Sequence, residues 1–126
     1  MTSGEFRKIA LSLADALEHE HMGHPDFRVG GRIFATLGYP SEEWGMVKLF
    51  PDQQAAFVGA DPKTFVPVKG AWGKKGCTHV RLAAANKAAV KDAVHAAWRN
   101  ATVRVALRKL EAGAPKRRKR RPASQV

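Results

Sequence analysis

Apolar residues recur at helical spacing near the start of the chain. Phe6, Ile9, Ala10, Leu13 and Leu17 fall on one stripe, and Thr2 followed by Glu5 has the spacing of a reciprocal N-terminal cap. The pattern predicts a first helix over Ser3–Glu18, ended by Gly23 and Pro25. Two short strands follow, about Asp26–Val29 and Arg32–Leu37, joined at Gly30-Gly31. A two-residue hairpin turn needs positive φ at both central positions, which glycine supplies without strain. Gly38-Tyr39-Pro40-Ser41 is a turn cluster, and Gly45–Phe50 alternates as a third strand.

Pro51-Asp52 opens a short helix to about Ala60, and Asp61-Pro62 stops it. Phe65–Val68 is a weak strand. Pro67 lacks an N–H for the ladder, which points to an edge or irregular position for this strand. Lys69–Gly76 holds three glycines and reads as a loop. Cys77–Ala83 alternates strictly, and Asn86 suits the N-cap of a last helix. On that helix Val90, Ala93, Val94, Ala97, Trp98, Ala101 and Val105 make a long stripe, and Gly113 and Pro115 end it. The implied plan is α+β: a two-layer α-β3-α-β2-α domain, with a mostly antiparallel five-stranded sheet and helices packed on one face. Residues 1–112 form this single domain. Residues 113–126 have no apolar periodicity and are expected to be a disordered basic tail.

Composition adds one unusual quantity. Of 126 residues, 44% are hydrophobic, which is ordinary, but 22 Lys and Arg face 11 Asp and Glu, a net charge of +11. Six of the positives form one run, Lys116-Arg117-Arg118-Lys119-Arg120-Arg121; outside it the balance is 16 against 11, or +5. A mildly basic body with a strongly basic tail points to a polyanion partner, because neutralised phosphates release their counterions. The alternative is a tail that only aids solubility. No apolar run reaches the roughly 20 residues of a membrane span, and no secretory leader is visible. One cysteine forms no internal disulfide. The expected location is the cytoplasm.

Strand alternation assigns the face left uncovered by helices. Thr78, Val80 and Leu82 would turn inward with Val47 and Leu49. Cys77, His79, Arg81, Met46, Lys48 and Phe50 would turn outward. A two-residue turn, which the turn chemistry favours, pairs Arg28 with Ile33 and Val29 with Arg32 and sets the arginines on opposite faces, so that one reaches a ligand; a three-residue loop would instead pair Arg28 with Arg32 and put both on one face. The Lys69–Gly76 loop brings Lys74 and Lys75 beside glycines whose amides can approach an anion. Trp72 is expected to anchor this loop on the core, the alternative being a stacking surface for a base. On the last helix, Lys91, His95 and Arg99 make a basic ridge.

Catalytic chemistry finds little support. Cys77 and His79 share a strand face, but no third group orients the histidine. The His19, His21, His24 and Asp26 cluster lacks the spacing of a helical zinc site and has no distant partner pair. The reading is a non-enzymatic chain with no cofactor and no metal site.

The stretch His24–Leu37, with Val47-Lys48-Leu49 and Gly70-Ala71-Trp72-Gly73-Lys74-Lys75-Gly76, resembles the MmcQ/YjbR family. The likeness spans roughly Phe6 to Arg99. It implies a small α+β fold and a "double wing" mode of DNA binding, with the hairpin and the glycine-rich loop as wings. The contact residues would be Arg28, Arg32, Lys48, Lys74, Lys75, His79 and Arg81, joined by Lys116, Arg117, Arg118, Lys119, Arg120 and Arg121 of the tail. DNA, or RNA, would be held as a polyanion with low sequence specificity by a monomer. The alternative is a protein- or small-ligand-binding module, by analogy with secretion chaperones of similar plan.

Overall fold

The computed structural model describes residues 1–113. Its elements, in chain order, are α1 (Ser3–Leu11), β1 (Leu17–His21), β2 (His24–Val29), β3 (Arg32–Leu37), β4 (Trp44–Lys48), α2 (Pro51–Ala60), β5 (Phe65–Pro67), α3 (Ala71–Lys74), β6 (Cys77–Arg81) and α4 (Lys87–Gly113), with a single 3-10 turn at Leu82–Ala84 before α4. All neighbouring strands are antiparallel, in the order β1-β2-β3-β4-β6-β5. The α+β plan is as expected. The sheet gains a sixth strand, and the Lys69–Gly76 loop contains the short α3.

The extra strand comes from the region expected to be helical. The Thr2 and Glu5 cap forms: Thr2 Oγ1 accepts from the Glu5 N–H at 3.1 Å, and Glu5 Oε1 accepts from the Thr2 N–H at 2.9 Å. Yet α1 stops at Leu11, and Ser12 Oγ donates back to the Ile9 carbonyl at 2.6 Å. Asp15 then takes φ +59°, and Met22-Gly23 close a tight turn that pairs His21 with His24. Pairing with β2 captures Leu17–His21 as a strand, although Leu13 and Leu17 fit the helical stripe. This edge strand is exposed along its length and carries Glu18, His19, Glu20 and His21. Such charge discourages further strand pairing. Arg7 of α1 holds Glu18 at 2.9 Å.

Gly30 and Gly31 have φ of +58° and +82°, and the register pairs Val29 with Arg32 and Arg28 with Ile33. This is the two-residue turn, and it separates the arginines as its geometry requires. The hairpin tip is seated, because a Cβ on Gly30 would stand 2.8 Å from Val105 of α4. Further along, Phe27 faces Ala35 while Arg28 faces Ile33, so Phe34 is an extra residue in β3. Such a bulge bends and twists its strand.

Register fixes the two faces. One row crosses the sheet through Glu18, Phe27, Ala35, Val47, Thr78 and Pro67; the next passes through His19, Asp26, Thr36, Met46, His79 and Val66. Phe27, Ala35, Val47 and Thr78 are sealed, with Phe6, Ile9 and Ala10 of α1 and Val90, Ala93, Val94, Ala97 and Ala101 of α4 packed in the same layer. Phe57 of α2 meets Phe65 at 5.2 Å between ring centres. The other row lies on the face that α1, α2 and α4 leave open. Asn86 caps α4, its Oδ1 accepting from the Ala89 N–H at 3.1 Å. Strand β5 sits at the sheet edge, as Pro67 requires. Among the described residues, no helix is long and apolar enough to cross a membrane.

Candidate functional site: a cationic cleft and an adjoining groove

Pairing between β3 and β4 runs from Leu37–Gly45 only to Ala35–Val47. Beyond it the bulged start of β3 and the end of β4 part, and a cleft of about 290 Å³ opens between them. Ala97, Asn100, Ala101 and Arg104 of α4 line it on the helix side, Arg32 and Ile33 belong to β3, and Lys48, Leu49 and Phe50 lead into α2. Trp72, Lys75 and Cys77 complete the wall.

The backing of the cleft is firmly tied. Asn100, nearly buried, donates through Nδ2 to Gln53 Oε1 at 2.7 Å and to the Lys48 carbonyl at 3.4 Å. Gln53 Oε1 also accepts from the Phe50 N–H at 2.9 Å. The α3 segment fits because residue 73 is glycine: a Cβ there would stand 1.6 Å from the Val68 carbonyl oxygen. Gln54 Nε2 then donates to the carbonyls of Gly73 and Cys77 at 3.0 and 2.9 Å. This close docking leaves Trp72 at the mouth, 61% exposed. The expected core role of Trp72 is therefore corrected: backbone, not indole, anchors the loop.

Four cations converge here. Lys48 Nζ and Lys75 Nζ lie 5.5 and 5.6 Å from the Trp72 ring centre, and the Arg104 guanidinium lies 5.3 Å from that of Phe50. Burial, with the charges of Arg104 and Arg108, pulls the pKa of Arg32 down. No carboxylate of the described residues forms an ion pair with Arg32, Lys48, Lys75 or Arg104. Burial raises the pKa of the Cys77 thiol, while Lys48 and Lys75 pull it the other way.

A groove of about 620 Å³ continues from this cleft along the open face. Ile33, Lys48, Trp72 and Cys77 line both. Its walls include Met46, Val68, Tyr39, Thr36 and His79. The His79 ring meets Trp44 edge-on at 5.4 Å, and its Nδ1 is buried with no hydrogen-bond partner among the described residues. Burial lowers the His79 pKa, partly opposed by the Gly45 backbone.

The remaining sequence candidates scatter. Arg28 lies on the open face, but its guanidinium grips Asp26 at 2.8 and 3.1 Å, which raises the arginine's pKa. Asp26 is 1% exposed. Lys74 ends α3 in solvent, outside the cleft lining. Arg81 stands at the opposite end of β6, 5.0 Å from the Trp44 ring, and donates to the Lys63 carbonyl. Phe50 lies past the end of β4 and caps α2, so it faces the cleft instead of the open sheet. The Lys91, His95 and Arg99 ridge is exposed, and at about 100° per residue it lies across the helix from Ala97, Ala101 and Arg104. Lys116, Arg117, Arg118, Lys119, Arg120 and Arg121 lie outside the described residues. Sequence reasoning left Arg104 and Asn100 out of the site. The signal was the continuation of the Ala97–Ala101 stripe into Arg104 and Arg108, where α4 passes the end of the sheet. Among the described residues, no three His, Cys, Asp or Glu side chains are grouped to hold a metal.

The fold and cleft define an open-faced, two-layer α+β domain with a basic pocket where its central strands part. Residues 11–100 match the YjbR family, and the chain belongs to that family. Among solved structures, Deinococcus radiodurans protein DR2400, which carries a DUF419 domain, superposes with a TM-score of 0.64. That match covers 77% of this chain and 75% of the other at 17% identity, a shared fold. No curated protein matches the chain.

Proposed function

We propose that the protein binds nucleic acid, DNA or RNA, without enzymatic action and with low sequence specificity, and that the cleft is its phosphate site. The observation that carries this is the convergence of Arg32, Lys48, Lys75 and Arg104 on one cavity with no carboxylate paired to them. Four like charges with no acid among them repel one another, and a phosphate backbone relieves that repulsion while releasing counterions. Contacts of this kind position a ligand without reading its sequence. A peptide-binding module would instead place affinity in the open-face groove and make it insensitive to salt.

The test is fluorescence anisotropy of the full chain on random-sequence DNA across a salt series. The basic tail stays in place throughout, so it contributes equally to every variant. Replacing Arg32, Lys48, Lys75 and Arg104 together by alanine should weaken binding and cut the log–log salt slope by up to about 3.6, from roughly 0.9 per neutralised phosphate. A control with Lys91 and Arg99 replaced should keep most of the slope. If the four-residue variant binds like the parent, the cleft is not the phosphate site.

A further inference from the structure

The groove beside the cleft extends the nucleic-acid reading, on which this inference rests. A phosphate in the cleft places the next atoms of a polynucleotide at the four residues shared by both cavities, Ile33, Lys48, Trp72 and Cys77. In a duplex the apolar base faces are hidden in the stack, and the groove would go unused. An unpaired strand presents each base one sugar away from a phosphate. The geometry points to a site for an unstacked nucleobase, held on the open sheet face between Trp72 and Met46, so that the protein prefers single-stranded over duplex nucleic acid.

Two observations carry the assignment. Trp72 stands exposed at the junction, with Lys48 and Lys75 near its ring. Base–aromatic stacking is stronger than an exposed cation–π contact, so a base can take the ring while the ammoniums turn to the phosphate. The groove beyond is largely apolar, with Ile33, Met46 and Val68 among its walls.

The experiment uses the full chain and three fluorescent 12-nucleotide probes: a mixed-sequence single strand, the same strand made wholly abasic, and the matched duplex. Tail and cleft act on phosphates, which the abasic strand retains. The natural strand should bind at least about tenfold more tightly than the abasic one. Trp72→Ala should remove most of that ratio, and Trp72→Phe should keep it, as base–aromatic stacking predicts. Met46→Arg is the sharper variant. It adds a cation, which by charge alone should strengthen binding of every probe, but it fills the groove and should weaken the natural strand selectively. Equal affinity for natural and abasic strands, or Met46→Arg tightening all three probes alike, overturns the base site. If the probes still bind with a cleft-dependent salt slope, the phosphate reading survives that failure. If the cleft substitutions change no probe's binding, both readings fall.

Discussion

Gly73→Ala tests the placement of Trp72 through the backbone that carries it. The added Cβ would stand 1.6 Å from the Val68 carbonyl oxygen and 2.7 Å from its carbon. Neither atom belongs to a side chain that can rotate away, so α3 or the end of β5 must move by more than an ångström. Overpacking of this kind costs typically 1–3 kcal/mol, and a backbone clash belongs at the upper end, about 3 kcal/mol. For a domain of this size about 1 kcal/mol shifts Tm by roughly 4 °C, so a fall of about 12 °C is expected. Gly59→Ala is the matched control. Gly59 lies in α2, exposed, with no atom within 4 Å of its would-be Cβ. Alanine there should stabilise by about 0.5–1 kcal/mol through helix propensity and lost unfolded-state entropy. Differential scanning calorimetry reads both, and the two substitutions should move Tm in opposite directions. Local displacement of α3 offers the clashing variant a cheaper escape, which would expose Cys77 on the strand that α3 packs against. Thiol titration with a chromogenic disulfide detects that route. A Gly73→Ala protein with parental Tm and an unreactive Cys77 would refute the packing described.

Phe6→Ala removes a sealed ring that meets Phe27 at 6.2 Å; it should cost about 3–5 kcal/mol, read as a lower urea midpoint. Thr2→Ala deletes the N-cap of α1 and should cost about 1 kcal/mol, again by urea midpoint, while Ser3→Ala should be nearly neutral. His79 gives a pH dependence: its folded pKa lies below the usual imidazole value of 6.5, so the unfolded chain binds more protons between the two. Its contribution is therefore full above pH 6.5 and is lost as pH falls toward the folded pKa. Urea midpoints from pH 8 to 5 should fall less steeply for His79→Phe than for the parent, and parallel profiles would refute this assignment.

What the sequence made legible was local. The Thr2 and Glu5 cap, the Gly30-Gly31 turn and its register, the Asn86 cap and the alternation along β6 each depend on residues within a few positions of one another. Pro67 reported an edge because its missing N–H is a property of one residue. Strand β1 was hidden because Leu13 and Leu17 fit a helical stripe, while the pairing that captures Leu17–His21 is made with β2. Trp72 misled for a related reason. The area of an indole argues for burial, but its placement was decided by a clash-free glycine at the next position. Lys48 and Lys75 were legible as cations, and their convergence with Arg104 depends on where β3 leaves β4.

The distribution of neutralised and unneutralised arginine separates structure from candidate function. Where an arginine stands on the open sheet at Arg28, the fold supplies a buried carboxylate, Asp26, and binds it through two nitrogens. A few residues away Arg32 receives no acid and faces Arg104 and Arg108, which disfavour its charge. A surface shaped for stability alone intersperses the two signs. Here repulsion collects on a cavity whose backing is tied by Gln53 and Asn100 and whose mouth holds an exposed tryptophan. Preorganised charge of one sign is unfavourable in the free protein and favourable once an anion enters. An added polyanion should therefore raise the Tm of the folded chain, and without one the four-alanine cleft variant should be at least as stable as the parent.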